Sequence, residues 1–285
     1  MSRYPVGSVD WAEVDRTEDP AVFVRFLEDT RARSIAIAER DPARFFADLD
    51  VQEGHQVLDA GCGLGDMARV IARLVGPTGR VVGVDNSVTM IQQARQRNAD
   101  GALPVVFQRG DIMALDLPTA MFDRTRAEQV VQHVAHPRRA VAELARVTRP
   151  GGRVVVQEPD WESLVIDADD LETSCRFTGF NSTQVIRHGQ IGRQLPALFR
   201  KAGLESVSVT PQGVLASYET VGEYIASATA RAVEADAIEA TAAHRWLDDL
   251  RTRHDKGRFL FAFLFFTVSG AVPAPATVGR ATEER

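Results

Sequence analysis

An acid at Asp59, glycines at Gly61, Gly63 and Gly65, and two further acids at Asp85 and Asp111 are the residues of this chain whose types and spacing point most directly to chemistry. The glycines follow the apolar run Val57-Leu58 and precede a helix-like segment from Asp66. Without a Cβ at the turn the backbone can approach a ligand closely, and the helix that follows offers free N–H groups, as nucleotide-type sites require. A dinucleotide fingerprint spaces its glycines G-x-G-x-x-G, the third serving helix–strand packing. Here the spacing is G-x-G-x-G, and a carboxylate two residues before the first glycine offers a pyrophosphate nothing. It suits a ligand with positive charge and no phosphate. Asp59, Asp85 and Asp111 recur every 26 residues, the latter two closing the apolar runs that begin at Val81 and Val105. That interval is one strand–helix–strand step, so a parallel sheet sets the acids side by side at the carboxyl ends of adjacent strands, where open α/β sheets bind ligands. Asp85 is suited to both hydroxyls of a ribose; Asp111 is suited to an adenine amino group, with Ile112 on the ring. The competing reading, that each acid caps a following helix, is weakened by the three being in phase with a glycine turn.

A cationic ligand of this kind, carrying an ammonium and a sulfonium, is S-adenosylmethionine (SAM). The segments Val57 to Asp66, Gly83-Val84-Asp85-Asn86-Ser87, Gly110-Asp111-Ile112, Phe122-Asp123, Glu128 to Val134 and Glu143 to Arg153 occur in the order of a known family. Over about residues 50 to 160 the chain resembles the class I SAM-dependent methyltransferases, in the small-molecule branch similar to quinone and sugar methyltransferases. The resemblance implies an α/β, Rossmann-like fold: a seven-stranded, mostly parallel sheet with an antiparallel last strand between the fifth and sixth, helices on both faces and a helical cap or lid. It implies SAM as cofactor and S-adenosylhomocysteine as product. At the turn, Asp59, Ala60, Gly61, Cys62 and Gly63 become cofactor residues. Asp85, Asn86 and Met90 follow the second strand, and Gly110, Asp111 and Ile112 the third. Ala127, Glu128 and Gln132 follow the fourth, and an arginine of the N-terminal helix, Arg33 with Arg31 as its rival, would take the methionine carboxylate.

The elements that must position these residues can be read coarsely. Residues 1–50 form an N-terminal cap, Pro20 to Leu49 being helical with Phe23, Phe26, Leu27, Ile35, Ile37 and Phe45 on one stripe. Residues 51–160 form the SAM-binding core, with helices from Asn86 or Ser87 to Asn98 and from Pro137 to Thr148. Residues 161–270 complete the core, with a helix from Gly189 to Ala202, a sixth strand from Glu205 to Thr210 and lid insertions near 165–188 and 218–254. Residues 271–285 read as a disordered tail. The apolar run Phe259 to Val268 has ten residues, half of the roughly 20 that a spanning helix needs, and reads as the final strand. The 285 residues, 45% hydrophobic, suffice for one large α/β domain with a cap. A net charge of −6 and the absence of a long basic run argue against nucleic acid, as does Thr125-Arg126-Ala127-Glu128-Gln129 where base-methylating relatives carry their own motif. Cys62 and Cys175 have no metal or redox spacing, no metal is expected, and with no leader or membrane span the expected setting is a reducing cytoplasm. A homodimer is the expected assembly.

Because the sulfonium methyl is already electrophilic, such a protein need only align the acceptor, exclude water and remove a proton where there is one. His133 is the candidate general base; against that, a Gln/Glu-His-Val-like segment recurs in the family, where it shapes the methionine end of the cofactor site. His136 reads as a residue at a helix start. Glu158 and Trp161 either bind an amine or a planar ring at the mouth of the sheet or form a turn around Pro159. Arg126, costly at the end of the fourth strand unless paired, meets a SAM or substrate carboxylate, or a neighbouring acid. Phe177, Phe180, Asn181 and Arg187-His188 either wall the acceptor pocket or pack a cap helix. The activity implied is methyl transfer to O, N or C of a small, secondary-metabolite-like acceptor. The alternatives are a SAM-binding cyclase or decarboxylase of the same fold and, against the glycine spacing, an NAD-dependent oxidoreductase.

Overall fold

The structure is a computed structural model; it describes residues 11–274, apart from the side chains of residues 33, 34, 37, 43 and 44. Strands β1 (Gln56–Ala60), β2 (Arg80–Asp85), β3 (Val105–Arg109), β4 (Phe122–Glu128), β5 (Thr148–Ile166), β6 (Glu205–Leu215) and β7 (Phe261–Ala271) form one sheet in the order β3-β2-β1-β4-β5-β7-β6. The first five are parallel, and β7 runs antiparallel between β5 and β6. This is the expected Rossmann-like arrangement, and the aromatic run from Phe259 supplies its last strand.

Helices α1 (Ala21–Arg40), α2 (Pro42–Phe45) and α3 (Asp66–Val75) lie on one face and α5 (Pro137–Val147) and α7 (Ile191–Lys201) on the other, while α4 (Val88–Gln96) follows β2. Alternation along the strands divides the core accordingly. Val57, Val81, Val105 and Phe107 pack with α3, and Leu58, Ala60, Val82, Val84, Val154 and Val156 pack with α5 and α7. Local caps set the helix starts: the Ser87 side chain accepts from the Met90 N–H at 3.2 Å, and Pro137 occupies the first turn of α5, where its missing N–H leaves nothing unpaired. The helix expected over Pro20 to Leu49 is divided into α1 and α2, and Ile37 lies outside the described side chains.

Strands β5, β7 and β6 overshoot the rest of the sheet. β4 ends opposite Gln157, whereas β5 continues to Ile166 opposite Phe261, with a bulge between Asp160 and Val165. β6 runs to Leu215, five residues past its expected end. Pro159 and Pro211 read locally as breaks, but Pro211 lies on the edge strand, and β7 offers ladder partners along its whole length. Glu158 and Trp161 are therefore strand residues and not a turn. At the other end, Ala271 stays in the ladder and Val272 donates to the Gly152 carbonyl at 2.9 Å, where the tail was expected to begin; residues 275–285 lie outside the described residues.

The projecting three-strand arm is backed by α6 (Leu171–Phe180), a π-helical turn at Asn181–Val185, α8 (Tyr218–Glu234) and α9 (Ala240–Asp255). These make a third apolar core around Trp246, whose ring lies 5.1 Å from that of Phe177 and whose Nε1 donates to Ser174 at 2.9 Å. Among the described residues no helix is long and apolar enough to cross a membrane. Trp246→Ala is expected to lower the unfolding free energy by about 3–5 kcal/mol, the usual range for emptying a buried tryptophan site; in urea titration, a loss under about 1 kcal/mol would show that this core unfolds apart from the sheet.

Candidate active site

A cavity of about 2010 Å³ opens at the carboxyl ends of the strands, between the sheet, the N-terminal segment and the arm. Its floor is the glycine turn. The N–H groups of Gly61 and Cys62 both donate to the Val84 carbonyl, at 2.7 and 3.0 Å, which ties the turn to β2. Gly61 has φ +75°, and a Cβ there would lie 2.1 Å from a Val130 methyl; Gly65, also at +75°, caps α3 with Phe107 against it. Both positions need glycine for two separate reasons, backbone region and space.

Asp85 accepts from Gly63 N–H at 2.9 Å on one oxygen and from Ser87 N–H at 3.0 Å on the other, and each oxygen keeps acceptor capacity beyond that bond. Burial pushes its carboxyl above the usual range. Asn86, Met90, Gly110, Asp111 and Ile112 line the cavity beside it, Asp111 exposed and accepting from Met113 N–H at 2.8 Å. Of the turn residues, Asp59, Gly61, Cys62 and Gly63 line the cavity; Ala60 does not, because its methyl points into the core. Gly61 and Gly63 present bare backbone, and the acids that follow suit a cationic ligand bearing hydroxyls; the residues present fit SAM. Asp15 closes this half, a feature the sequence reading missed. Its carboxylate accepts from the Ser87 hydroxyl at 2.8 Å and from Val88 and Thr89 N–H, capping α4 from 72 to 74 residues away and bringing Trp11 and Val14 over the turn.

Below the cofactor half lies a buried ion network. The register pairs Asp59 with Arg126, whose guanidinium donates to Asp59 at 2.8 Å and to Glu128, and lies 5.5 Å from the Phe46 ring centroid. Arg31, from α1, pairs with the other Glu128 oxygen at 2.9 Å. Despite burial, these two arginines hold the Glu128 carboxyl down to about 2. Arg126 lines the cavity but is paired with neighbouring acids, the second of the two readings the sequence allowed. Of the two candidate arginines Arg31 reaches the cavity; the side chain of Arg33 lies outside the described residues.

The arm walls the other half. Phe261, Phe263 and Phe265, at alternate positions of β7, line it with Trp161, Tyr224, Gln157 and Gln212. Trp161 stacks on Phe263 at 5.1 Å and donates through Nε1 to Gln132 at 2.7 Å. Phe261 and Phe263 also belong to the third apolar core, with Phe265 packed against it, and the period of two along β7 is what brings the three rings to the cavity together. Ala127, Gln132 and His133 line the junction of the halves. Burial, helped by the charge of Arg187, pushes His133 down to about 3, so its ring is neutral near pH 7 and far weaker than a tuned general base; it stacks 5.9 Å from Trp11.

Three expected acceptor residues stand behind this wall. Phe177 is fully buried against Trp246, Phe180 lies outside the cavity, and Asn181 accepts from the Tyr224 hydroxyl, fixing a side chain that does line it. Glu158 is also behind the wall, because alternation along β5 turns it under the loop after β4. One of its oxygens accepts from Val130 and Val131 N–H at 2.8 and 2.6 Å, and the other has no hydrogen-bond partner among the described residues. It therefore holds the loop that presses Val130 against Gly61 and carries Gln132 and His133.

A sheet of this order, ending in a glycine turn and paired acids beneath an N-terminal cap, defines the SAM-dependent methyltransferase class. A model of the methyltransferase domain matches residues 52–203, and the chain belongs to that family, with SAM as cofactor. It is 40% identical to an uncharacterized 37.1 kDa protein in transposon TN4556 of Streptomyces fradiae, over 88% of this chain and 74% of that protein. Methyltransferase GfsG of Streptomyces halstedii is 34% identical over 176 residues, which cover 60% of this chain and 60% of that protein. Among solved structures, the YcgJ protein of Bacillus subtilis shares the fold at 18% identity and a TM-score of 0.56, over 85% of this chain and 99% of that one.

Two outcomes follow. Arg126→Met leaves Asp59 and Glu128 buried without their shared cation and is expected to cost about 3–5 kcal/mol of stability, read by urea unfolding; an unchanged midpoint would mean that the network contributes nothing. Burial pushes the Glu158 carboxyl up to about 8. Folding therefore takes up a proton between the unfolded value of 4.5 and about 8: this contribution is fully present below pH 4.5 and is lost as pH rises through 8. Wild-type stability should fall over that window relative to Glu158→Gln, which keeps the acceptor oxygen and cannot ionise; parallel curves would refute a protonated Glu158.

Proposed function

We propose that this protein transfers the methyl group of SAM to an oxygen, nitrogen or carbon atom of a small-molecule acceptor, as in secondary metabolism, and releases S-adenosylhomocysteine. The observation that carries this reading is one cavity with two unlike halves. An acid- and glycine-lined half adjoins an aromatic one, and Gln132 and His133 stand where they meet. In the first half Asp85 would take the ribose hydroxyls, Asp111 and Ile112 the adenine, and the backbone at Gly61 and Gly63, with the Asp59 network beneath, the methionine end. Bound there, SAM supplies a methyl group made electrophilic by its sulfonium.

The protein's own part is alignment and dryness. The Asp15 bridge draws Trp11 and Val14 over the cofactor half, and the arm and α8 cover the acceptor half, so that water is displaced where the two ligands meet. His133, neutral and packed on Trp11, shapes the junction rather than taking a proton. The name of GfsG, a methyltransferase, supports the same class of activity.

The test is calorimetry with SAM, S-adenosylhomocysteine and NAD, followed by product mass. Asp85→Ala should weaken S-adenosylhomocysteine binding by about 2–3 kcal/mol, roughly 30- to 150-fold, through loss of a charged acceptor. Undiminished affinity would remove Asp85 from the ribose role. NAD binding without SAM binding, or SAM left unchanged during turnover, would overturn methyl transfer.

A further inference from the structure

Glu158 is a buried acid that does not reach the cavity. Alternation along β5 gives Gln157 to the cavity lining and leaves Glu158 fully buried, opposite Phe266 of β7. A carboxyl shut away from water costs stability, and its second oxygen gains no hydrogen bond among the described residues. Its effect is concentrated on the first oxygen, which holds the Val130 and Val131 N–H groups.

The loop held in this way is strained. Gln129, its first residue, has φ +56°, a region that side chains rarely adopt, and its N–H donates to the Gln157 carbonyl at 2.9 Å. Such a conformation persists only where its surroundings fix it. Here three successive N–H groups, of Gln129, Val130 and Val131, are fixed by two adjacent residues of one strand. The loop carries the consequence to both halves of the cavity. Val130 fills the space that a Cβ on Gly61 would need, so its place sets how closely the loop meets the glycine turn. The buried Gln132 accepts from Trp161 Nε1 at 2.7 Å, which fixes the edge of an indole stacked on Phe263. Burial pushes the Glu158 carboxyl up to about 8, which leaves it neutral near pH 7 and makes glutamine a close mimic.

Resting on the methyl-transfer reading, we propose that Glu158 is a positioning residue for that reaction: through the loop after β4 it sets the cofactor turn and the acceptor wall in one frame, touching neither ligand. The arm begins where Glu158 stands, since β4 ends opposite Gln157 and β5 runs on beside β7. From that branch point one side chain supports the loop, and the same strand carries Trp161 three residues later. With a methyl donor already activated, alignment of the two ligands is what the protein supplies, and a misplacement of about 1 Å can cost roughly 100-fold in rate.

The test uses the full, isotope-labelled chain, with S-adenosylhomocysteine affinity read by calorimetry and the indole N–H signals of the three tryptophans read by nuclear magnetic resonance. The Trp161 signal is assigned by its loss in Trp161→Phe, and the Trp246 signal, from an indole donating to Ser174 in the third core, reports the fold. Glu158→Met fills the site but offers the loop no oxygen. It should shift the Trp161 signal, leave that of Trp246 in place and weaken S-adenosylhomocysteine about tenfold, the scale of one buried donor left unpaired. Glu158→Gln, which keeps the accepting oxygen, should restore the signal and most of the affinity. Because Val130 carries the effect to the turn, Glu158→Met should cost little further affinity in a Val130→Ala background. In the wild type, S-adenosylhomocysteine should itself move the Trp161 signal across the shared loop. A Trp161 signal indifferent to S-adenosylhomocysteine or to Glu158→Met, unchanged affinity in that variant, Glu158→Gln as weak as Glu158→Met, or losses that simply multiply in the double variant would each overturn the proposal. Loss of the Trp246 signal in Glu158→Met would make the residue a support of the whole fold and overturn it too. Failure of S-adenosylhomocysteine to bind the wild type would strike the methyl-transfer reading instead, while the Trp161 signal in the two Glu158 variants still decides how the loop is anchored.

Discussion

The structure turns on a central strand that carries charge where its neighbours carry valine. β4 is buried along nearly its whole length, yet it reads Phe122-Asp123-Arg124-Thr125-Arg126-Ala127-Glu128. Charges removed from water must be paired, and here each is answered from a different element. Arg126 meets Asp59 of β1, Arg124 meets Asp50 ahead of it, Asp123 meets Arg149 and the Gln56 N–H, and Glu128 meets Arg31 of α1. Thr125 and Ala127, on the opposite face, keep that side for the Thr148 hydroxyl and the apolar core. The N-terminal helix is therefore held to the sheet by an ion pair at the ligand end, and the cap is placed where the cofactor must be covered. Hydrophobic packing alone would fix its depth but not its position along the sheet.

The two halves of the cavity are built by different means. The cofactor half uses mainly short-range devices within consecutive strand–helix steps, bare backbone at Gly61 and Gly63, a carboxylate ending β2 and a cap at Ser87, with Asp15 added from the distant N-terminal segment. The acceptor half depends on strands that outrun their parallel neighbours. Because β7 is long and apolar on both faces, β5 and β6 can continue beside it past the end of β4, and the inward rows of the arm supply the aromatic wall. Glu158 joins the halves. From β5 it reaches under the loop after β4, so the strand that begins the arm also holds the loop that presses on the glycine turn.

The legible and illegible residues differ in a physical way. Asp85, Asp111, Gly61 and Gly63 line the cavity where the sequence set them, because each sits in a local strand–turn–helix unit and the period of those units survives in the linear order. Arg126 could be read as needing a partner but not which one, because Asp59 becomes its neighbour through a register between strands 67 residues apart. Phe177 and Asn181 looked like pocket residues by composition. Their burial against Trp246 and Tyr224 depends on how α6, α8 and α9 pack, and helical spacing alone does not distinguish the face toward a ligand from the face toward another helix. Glu158 was misread for a related reason: beside a proline, two acids and a tryptophan look like a turn, whereas a paired β7 makes the same residues a strand and alternation turns the acid inward.

Hydrophobic period, glycine spacing and acids in phase marked the cofactor turn and three adjacent parallel strands, and the resemblance to a known family supplied the seven-stranded sheet with the aromatic run as its last strand. Tertiary structure alone decided which charges neutralise one another, that Arg31 reaches the cavity, and that Phe261, Phe263 and Phe265 line the cavity while packing into the third core. The reason is common to all three. Each is a relation between segments far apart in the chain, set by strand register and by how far strands extend beside their partners, and neither quantity is written in any one segment.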